Sequence, residues 1–468
     1  MQNRRQFIRT SLGGAAGLIV VPQFFTGSLF AQGSPNKKIQ VAQLGCGRMG
    51  LEDMGGVLRE DLGRVVAVCD LDPRRLAEGK RRVEEFYKKK GESSVSVKTY
   101  SSYKELLADP TIDAVVVSLP DHWHGLAATA AALAGKHIYC QKPLTYNIEE
   151  SIALRSAVQA KKVILQTGSQ QRSETPFAAF RPAIEAVLDG RVGKLKTVEI
   201  GVGIDKPSGK KPAAMTVPAG FDFDVWLGSA PQQDYMEGRV HPQDSFGGRP
   251  GWITTEDFGL GMITNWGAHH LDIAHLAMGQ ELGGPSVVEA KAGFMKDDVW
   301  TVHDTYHIEM LYPENVKVIL DNKYENGLKF VGDEGWIFCT RGDVKVTASD
   351  GNGPSGGGKG KSALRASDPK LISALGPNAK RLPGSRNQYR NWLESIAANK
   401  QPIAPVDQAA RSVQACCVGW IGMKLGRKVT WDVKSESFGN DAEANALRGR
   451  KPRKAEYDIA ALLKSGGV

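Results

Sequence analysis

The run Gly45-Cys46-Gly47-Arg48-Met49-Gly50 spaces three glycines as G-x-G-x-x-G. Gly45 permits a tight turn, Gly47 lets a pyrophosphate approach the backbone, and Gly50 lets a helix pack closely on a strand. A helix opening there offers free N–H groups and a positive dipole end to phosphate. Twenty-five residues after Gly45, Asp70 closes the next apolar run. Its carboxylate suits the ribose hydroxyls of an adenosine and repels a 2′-phosphate. The reading is a bound dinucleotide, NAD, with Arg74 and Arg75 keeping NADP as the alternative. With 53 glycines in 468 residues the string alone is weak, and Gly351-Asn352-Gly353-Pro354-Ser355-Gly356 repeats it. Nothing helical follows that second copy.

A second chemistry centres on Lys142, which follows a short apolar run and precedes Pro143. Open α/β sheets place ligands at the carboxyl ends of their strands, so an amine there points into the crevice. Beside a cationic nicotinamide its proton affinity falls, and it can polarise or deprotonate a substrate hydroxyl. Histidines gather at 122, 124, 269, 270 and 275, near Asp272. His270, Asp272 and His275 invite a metal reading, but positions five apart lie about 140° apart round a helix. No metal site is expected.

These groups need rigid elements beneath them. From Lys38 onward short apolar runs (39–44, 65–70, 114–118, 137–140, 163–167) alternate with helical stretches (49–61, 73–90, 126–134, 148–161). That alternation predicts a doubly wound parallel sheet over 38–168. After a helical stretch at 173–189, longer strand-like runs at 194–203, 287–294, 303–311, 316–321 and 334–340 have no helices between them. They predict an α+β domain over 169–432 with a mostly antiparallel sheet. Two helices, 387–398 and 406–425, close it; 349–361 reads as a flexible Gly/Ser-rich insertion, and 433–468 as a surface tail.

Composition narrows the classes further. Hydrophobic residues at 41% and charged residues at 24% fit a globular protein. Six cysteines without C-x-x-C spacing read as free thiols. Arg4 and Arg5 form a twin-arginine pattern before a weakly apolar, glycine-broken stretch, so 1–31 reads as a twin-arginine export signal and the export machinery as a partner. The expected location is periplasmic or otherwise exported. Removing 1–31 takes away three arginines and no acid, lowering the net charge from +9 to +6. The body carries no basic stripe with interleaved aromatics, so no nucleic-acid partner is expected.

The chain resembles the Gfo/Idh/MocA oxidoreductases from about Lys38 to Asp432. The resemblance rests on the glycine loop, Leu119-Pro120-Asp121-His122-Trp123-His124, Gln141-Lys142-Pro143 and Asn265-Trp266-Gly267-Ala268-His269 followed by Asp272. It implies a Rossmann domain that binds nucleotide through 45–50, Asp70, Ser118, Pro120, His124, Gln141 and Lys142. It further implies that Lys142 and His269 flank a reacting secondary alcohol of a sugar or polyol, His269 being the base, and that Asp272 is structural. The family's usual Glu-Lys-Pro and Asp-x-Gly-x-His become Gln141 and Asn265 here; an amide at 265 hydrogen-bonds but takes no proton. The substrate-contacting set is read as Gln171, Arg172, Trp252 and His270, with Trp252 stacking on a sugar face. Export away from any NAD(H) pool implies a nucleotide that stays bound and is recycled. That leaves coupled oxidation and reduction of two sugars, epimerisation through a keto intermediate and glycoside cleavage after transient oxidation, with a non-catalytic nucleotide- or sugar-binding protein as the alternative. A homo-oligomer, dimer or tetramer, is expected.

Overall fold

The computed structural model describes residues 38–342 and 362–467. The leader at 1–31 and the insertion at 349–361 therefore lie outside the described residues. The first sheet is built from β1 (Ile39–Leu44), β2 (Gly63–Cys69), β3 (Lys98–Tyr100), β4 (Ala114–Val117), β5 (His137–Cys140) and β6 (Leu165–Thr167). Its crossovers are α1 (Arg48–Leu58), α2 (Pro73–Lys89), α3 (Tyr103–Ala108), α4 (Asp121–Leu133) and α5 (Ile148–Lys161). Every pairing is parallel and the order is β3-β2-β1-β4-β5-β6. Local chemistry starts the helices where the strands end. Asp72 caps α2 by accepting from Arg74 N, with Pro73 in the first turn, and Asn147 caps α5 by accepting from Glu150 N. β4 is Ala-Val-Val-Val, buried at all four positions because helices cover both faces. The sequence reading missed β3, three exposed or half-buried residues with no apolar run to announce them.

The order reverses between β1 and β4, and there the carboxyl ends of the strands diverge into a crevice. The glycine loop follows β1, Ser118 to Pro120 follow β4, and Gln141-Lys142 follow β5. The functional groups are thus neighbours by topology.

The second sheet holds β7 (Leu195–Gly201), β8 (Val287–Phe294), β9 (His303–Leu311), β10 (Lys317–Asp321), β11 (Gly327–Gly332), β12 (Gly335–Cys339), β13 (Leu364–Ala366) and β14 (Val429–Thr430). They run in the order β13-β12-β11-β7-β10-β9-β8-β14, antiparallel except for β7 beside β10. Its inner face buries Val198, Ile308, Met310, Val318, Leu320 and Phe330. On it lie α9 (Gly267–Ala277) and α11 (Val406–Leu425), with α6 (Phe180–Leu188) against β12 and α8 (Met262–Asn265) against α9 and α11, whereas α7 (Phe223–Leu227) and α10 (Gln388–Ala398) pack elsewhere. Gly422 of α11 brings that helix close to β8: a Cβ there would sit 3.3 Å from Ala290 Cβ.

One apolar core runs through both sheets, from Ala42 to Val429. Residues beyond 169 do not keep to the second sheet. α10 returns to pack on α1, placing Tyr389 and Trp392 against Tyr139 of β5. The tail adds α12 (Ala442–Ala446) and α13 (Ile459–Ser465). It does more than wrap the surface: α13 packs on α4 and α5, and Tyr457 meets Trp123 edge-on at 5.7 Å. All six cysteines are buried and free.

Candidate functional site

A single cavity of about 830 Å³ opens along the crevice, with Gly47 and Asp70 at one end and Lys142, Asn265 and His269 at the other. At the first end Gly45 has φ +86°, and a Cβ on it would lie 2.4 Å from the Ser118 carbonyl. Gly50 lies so close to the turn that its Cβ would be 1.9 Å from the Gly45 carbonyl. Gly47 differs: nothing but Arg75 Nη1 comes near its Cβ position, at 3.8 Å. It is the N-cap of α1, and no side chain caps that helix. The free N–H groups of α1 therefore face an open cradle, which fits a pyrophosphate.

Asp70 holds the turn: one oxygen accepts from Cys46 N at 2.7 Å and the other from Asp72 N at 2.9 Å. Its remaining lone pairs suit ribose hydroxyls. Arg74 and Arg75 are engaged elsewhere. Arg74 binds Asp72 and the Gln243 carbonyl, and Arg75 donates to the Pro242 carbonyl at 2.9 Å. Arg75 still lines the cavity with its Nε lacking a hydrogen-bond partner, so the preference for NAD over NADP rests on Asp70. Met49 and Arg48 line the cavity; Cys46 and Gly50 are buried behind it.

At the other end, Lys142 Nζ donates to Asn265 Oδ1 at 2.9 Å. Burial lowers the lysine to about 8; Asp121 opposes that, and Arg341 and Arg48 add to it. Gln141 faces inward, donating to Asp53 Oδ1 at 2.8 Å while its own oxygen accepts from Lys142 N at 3.1 Å. Asp53 also accepts from Ser118 Oγ at 2.6 Å and Tyr389 Oη at 2.8 Å. Burial raises it to about 6 against those hydrogen bonds. The carboxylate missing at 141 thus stands at 53, one bond away. Ser118 presents backbone to the cavity, since its hydroxyl is spent on Asp53. Pro120 caps α4 and lines the cavity. His124 Nδ1 pairs with the Pro143 carbonyl at 2.7 Å, fixing the turn behind Lys142, while its buried Nε2 has no partner.

His269 lines the cavity from the first turn of α9, and its buried Nδ1 lacks a partner. Burial, Arg341, Lys142 and His270 push its proton affinity well below the ordinary 6.5. Burial and the two nearby cations keep the His269 ring neutral, the form a base must start in, while weakening it as a proton acceptor. The neutral ring is a hydrogen-bonding group. Asn265 Nδ2 is likewise buried without a partner, a donor available to a ligand oxygen.

Of the four expected substrate contacts, Trp252 lines the cavity and the other three do not. Arg172 is locked to Asp272 by two bonds of 2.6 and 2.8 Å, and to the Ile403 carbonyl at 2.7 Å. A guanidinium so buried must be paired, and Asp272 supplies the pairing. His270 bonds Asn326 Oδ1 at 3.2 Å and packs against Trp266 and Phe180. The Gln171 amide bridges the His269 carbonyl and Arg341 Nε, at 3.1 and 2.9 Å. These three support the wall from behind. Phe221, Phe223, Trp226, Tyr235 and Phe258 form an apolar cluster of their own, with Trp252 on its edge.

Sequence reasoning missed Asp53, Asp121, Arg341, Tyr389 and Tyr457, of which all but Asp53 line the cavity. An acid among the apolar residues of 49–58 was a visible signal for Asp53. Arg341 and Tyr389 arrive from distant elements, and nothing local marks them.

A parallel sheet with a phosphate cradle, feeding a cavity floored by a strand-end lysine, fits the class of two-domain proteins that bind a nicotinamide dinucleotide. Residues 39–169 match the family model GFO_IDH_MocA, "Oxidoreductase family, NAD-binding Rossmann fold", and 206–345 match its "C-terminal alpha/beta domain". The two matches together span more than half of the chain, which belongs to this family. Scyllo-inositol 2-dehydrogenase (NAD(+)) of Bacillus subtilis is 34% identical over 157 residues, 34% of this chain and 42% of that protein. Myo-inositol 2-dehydrogenase of Thermotoga maritima is 28% identical over 162 residues, 35% of this chain and 44% of that one. The chain thus spans about two fifths of the length of these curated relatives. Among solved structures, the WlbA dehydrogenase of Chromobacterium violaceum with NADH and UDP-GlcNAcA superposes with TM-score 0.60 at 18% identity, covering 85% of this chain and 97% of that one. The aldose-aldose oxidoreductase of Caulobacter crescentus gives 0.57 at 19% identity, covering 84% and 100%. These likenesses support the fold.

Proposed function

We propose that this protein is an exported, NAD-dependent oxidoreductase acting on a secondary alcohol of a sugar or polyol, with a nucleotide that stays bound and is recycled in each cycle. The observation that carries the reading is the continuity of the cavity from the α1 cradle to Lys142. Gly47 and the α1 N-terminus would hold the pyrophosphate, and Asp70 the adenosine ribose. A bound nicotinamide supplies a hydride acceptor for the carbinol carbon. Lys142 and Asn265 orient the hydroxyl, and Trp252 offers an indole face to the sugar. The inositol dehydrogenases among the relatives favour a polyol or sugar.

Retention has its own support. His241 to Ser245 run across the adenosine end, tied down through Arg74, Arg75 and the His241–Asp72 contact of 3.2 Å. A nucleotide beneath that segment leaves only when it lifts. Export rests on the twin-arginine pattern at Arg4-Arg5, and recycling follows from export. A second copy would pack on the outer face of the second sheet, where Leu311, Ile319, Val331 and Trp336 are half-buried.

The test is mass spectrometry of protein purified from the exported fraction, followed by a panel of sugars and polyols read at the nicotinamide absorbance. Near-stoichiometric nucleotide that is reduced by one sugar and reoxidised by a keto product supports the reading. Protein that is nucleotide-free and exchanges added NAD freely would remove retention; cytoplasmic fractionation would remove export.

A further inference from the structure

Lys142 has an acceptor at Asn265, but an amide cannot take its proton. A carboxylate reaches the same cavity from another element. Asp121 opens α4, four residues beyond Val117, the last residue of β4. Val117 pairs with Cys140, two residues before Lys142, so adjacent strand ends deliver the two side chains. Asp121 is 5% exposed and lines the cavity. It makes no hydrogen bond among the described residues, and α4 takes no side-chain cap from it. Its Oδ2 lies 3.3 Å from where a Cβ on Gly259 would stand, and that same point is 3.6 Å from the Trp252 ring. Asp121 and Lys142 line the same cavity without a direct ion pair, and an acid buried without protein hydrogen-bond partners is costly unless it has work there.

We propose that Asp121 is the proton partner of Lys142, doing from α4 what position 265 cannot. The proposal rests on the oxidoreductase reading and deepens it. A Lys142 N–H proton first passes to the Asp121 carboxylate across one water, which frees the Nζ lone pair that takes the substrate proton. As the substrate O–H breaks, its proton bonds to Lys142 Nζ. Lys142 ends as the ammonium it began as and Asp121 ends as the acid. The carbinol C–H electron pair leaves as hydride to the oxidised nicotinamide. The return half-reaction reverses each transfer. Asp121 acts through Lys142 and is a positioning residue.

The electrostatics around the pair agree. Lys142 faces Asp121, Arg341, Arg48 and Asp53, whereas among the described residues the charge bearing on Asp121 is Lys142. Burial raises the proton affinity of Asp121 and lowers that of Lys142, so the two move toward each other. His269, facing Arg341, Lys142 and His270, is the poorer acceptor.

The test is the pH dependence of Lys142 acylation by acetic anhydride in the full-length protein, read by peptide mass spectrometry against surface lysines. Asp121→Asn removes the charge that favours the ammonium. The Lys142 midpoint is expected to fall by about one pH unit or more, and Asp121→Glu to restore most of it. Lys142→Met is the reciprocal arm: without the cation, the Asp121 carboxyl stretch in the infrared persists to higher pH. An unmoved Lys142 midpoint in Asp121→Asn overturns the pairing, as does an infrared band unaffected by Lys142→Met. The midpoint is read without substrate, so it decides the pairing even if no sugar in the panel is oxidised. Only that latter result bears on the oxidoreductase reading.

Discussion

At the adenosine end of the cavity the charges answer one another, whereas at the reaction end they are held out of balance. Asp72 meets Arg74, Arg75 and His241, and Asp70 is occupied by two backbone N–H groups. Around Lys142, two carboxylates and a lysine are buried, with proton affinities displaced to about 6, 7 and 8. Mutual satisfaction makes a surface that binds; displaced affinities make groups that exchange protons near neutral pH. The contrast separates holding from chemistry along one cavity.

The strongest way to break that separation is to exchange the two functions by mutation. Lys142→Met is expected to lower turnover by about 10³-fold or more while leaving the nucleotide content of the purified protein unchanged. Gly47→Val should do the opposite, filling the cradle so that protein purifies without nucleotide but with its fold intact. Mass spectrometry and single-turnover rates on the two variants check both halves. Loss of nucleotide in Lys142→Met would erase the division between the ends.

Arg172→Ala sharpens the comparison from outside the cavity. It leaves Asp272 buried with Ser412 as its remaining side-chain partner, at 2.9 Å. The expected cost is about 3–5 kcal/mol of unfolding free energy in urea titration. Sugar KM in the surviving folded fraction should not change, since the guanidinium faces α9 and α11 and not the substrate.

How far the sequence foretold each end follows the same division. The glycine loop, Asp70 and the strand-end lysine lie within one βαβ rhythm, where local spacing dictates position. The parallel sheet and the mostly antiparallel one were both legible from it. The reaction end is assembled from α1, α4, α8, α9 and α10 together with Arg341, so its logic is long-range. Gln141 reads as a loss in sequence because its carboxylate partner, Asp53, comes from another element. Arg172 and His270 read as site residues because a polar residue beside a motif looks functional until its buried partner is known.

Asp53 supplies a pH test of the unbalanced end. Its affinity is raised from 3.8 to about 6 by burial. Between those values the folded chain keeps a proton that the unfolded chain has released, so this group's contribution to stability falls as pH rises from 3.8 to about 6. Asp53→Asn removes the titration. The stability difference between wild type and variant should therefore change by roughly 2–3 kcal/mol across that window and be flat above it. Denaturant midpoints at closely spaced pH values check the slope. A flat difference throughout would mean that Asp53 stays ionised in the folded chain, as Asp72 does at the adenosine end, where, against burial, His241 and Arg74 hold its carboxyl well below the usual range.

The smallest effect is expected where the balanced end meets the segment above it. Arg74 donates to the Gln243 carbonyl at 2.6 Å and is half-exposed, so Arg74→Ala should leave fold and turnover nearly unchanged. It removes one charge-assisted anchor of the 241–245 segment, worth about 1–1.5 kcal/mol. Release of bound nucleotide, followed by displacement with a fluorescent NAD analogue, should quicken by about tenfold at most. If the segment lifts freely in wild type, the release rate will not respond, and tight holding must then come from the cradle alone. A response in release without a response in turnover would place retention wholly at the end where the charges already match.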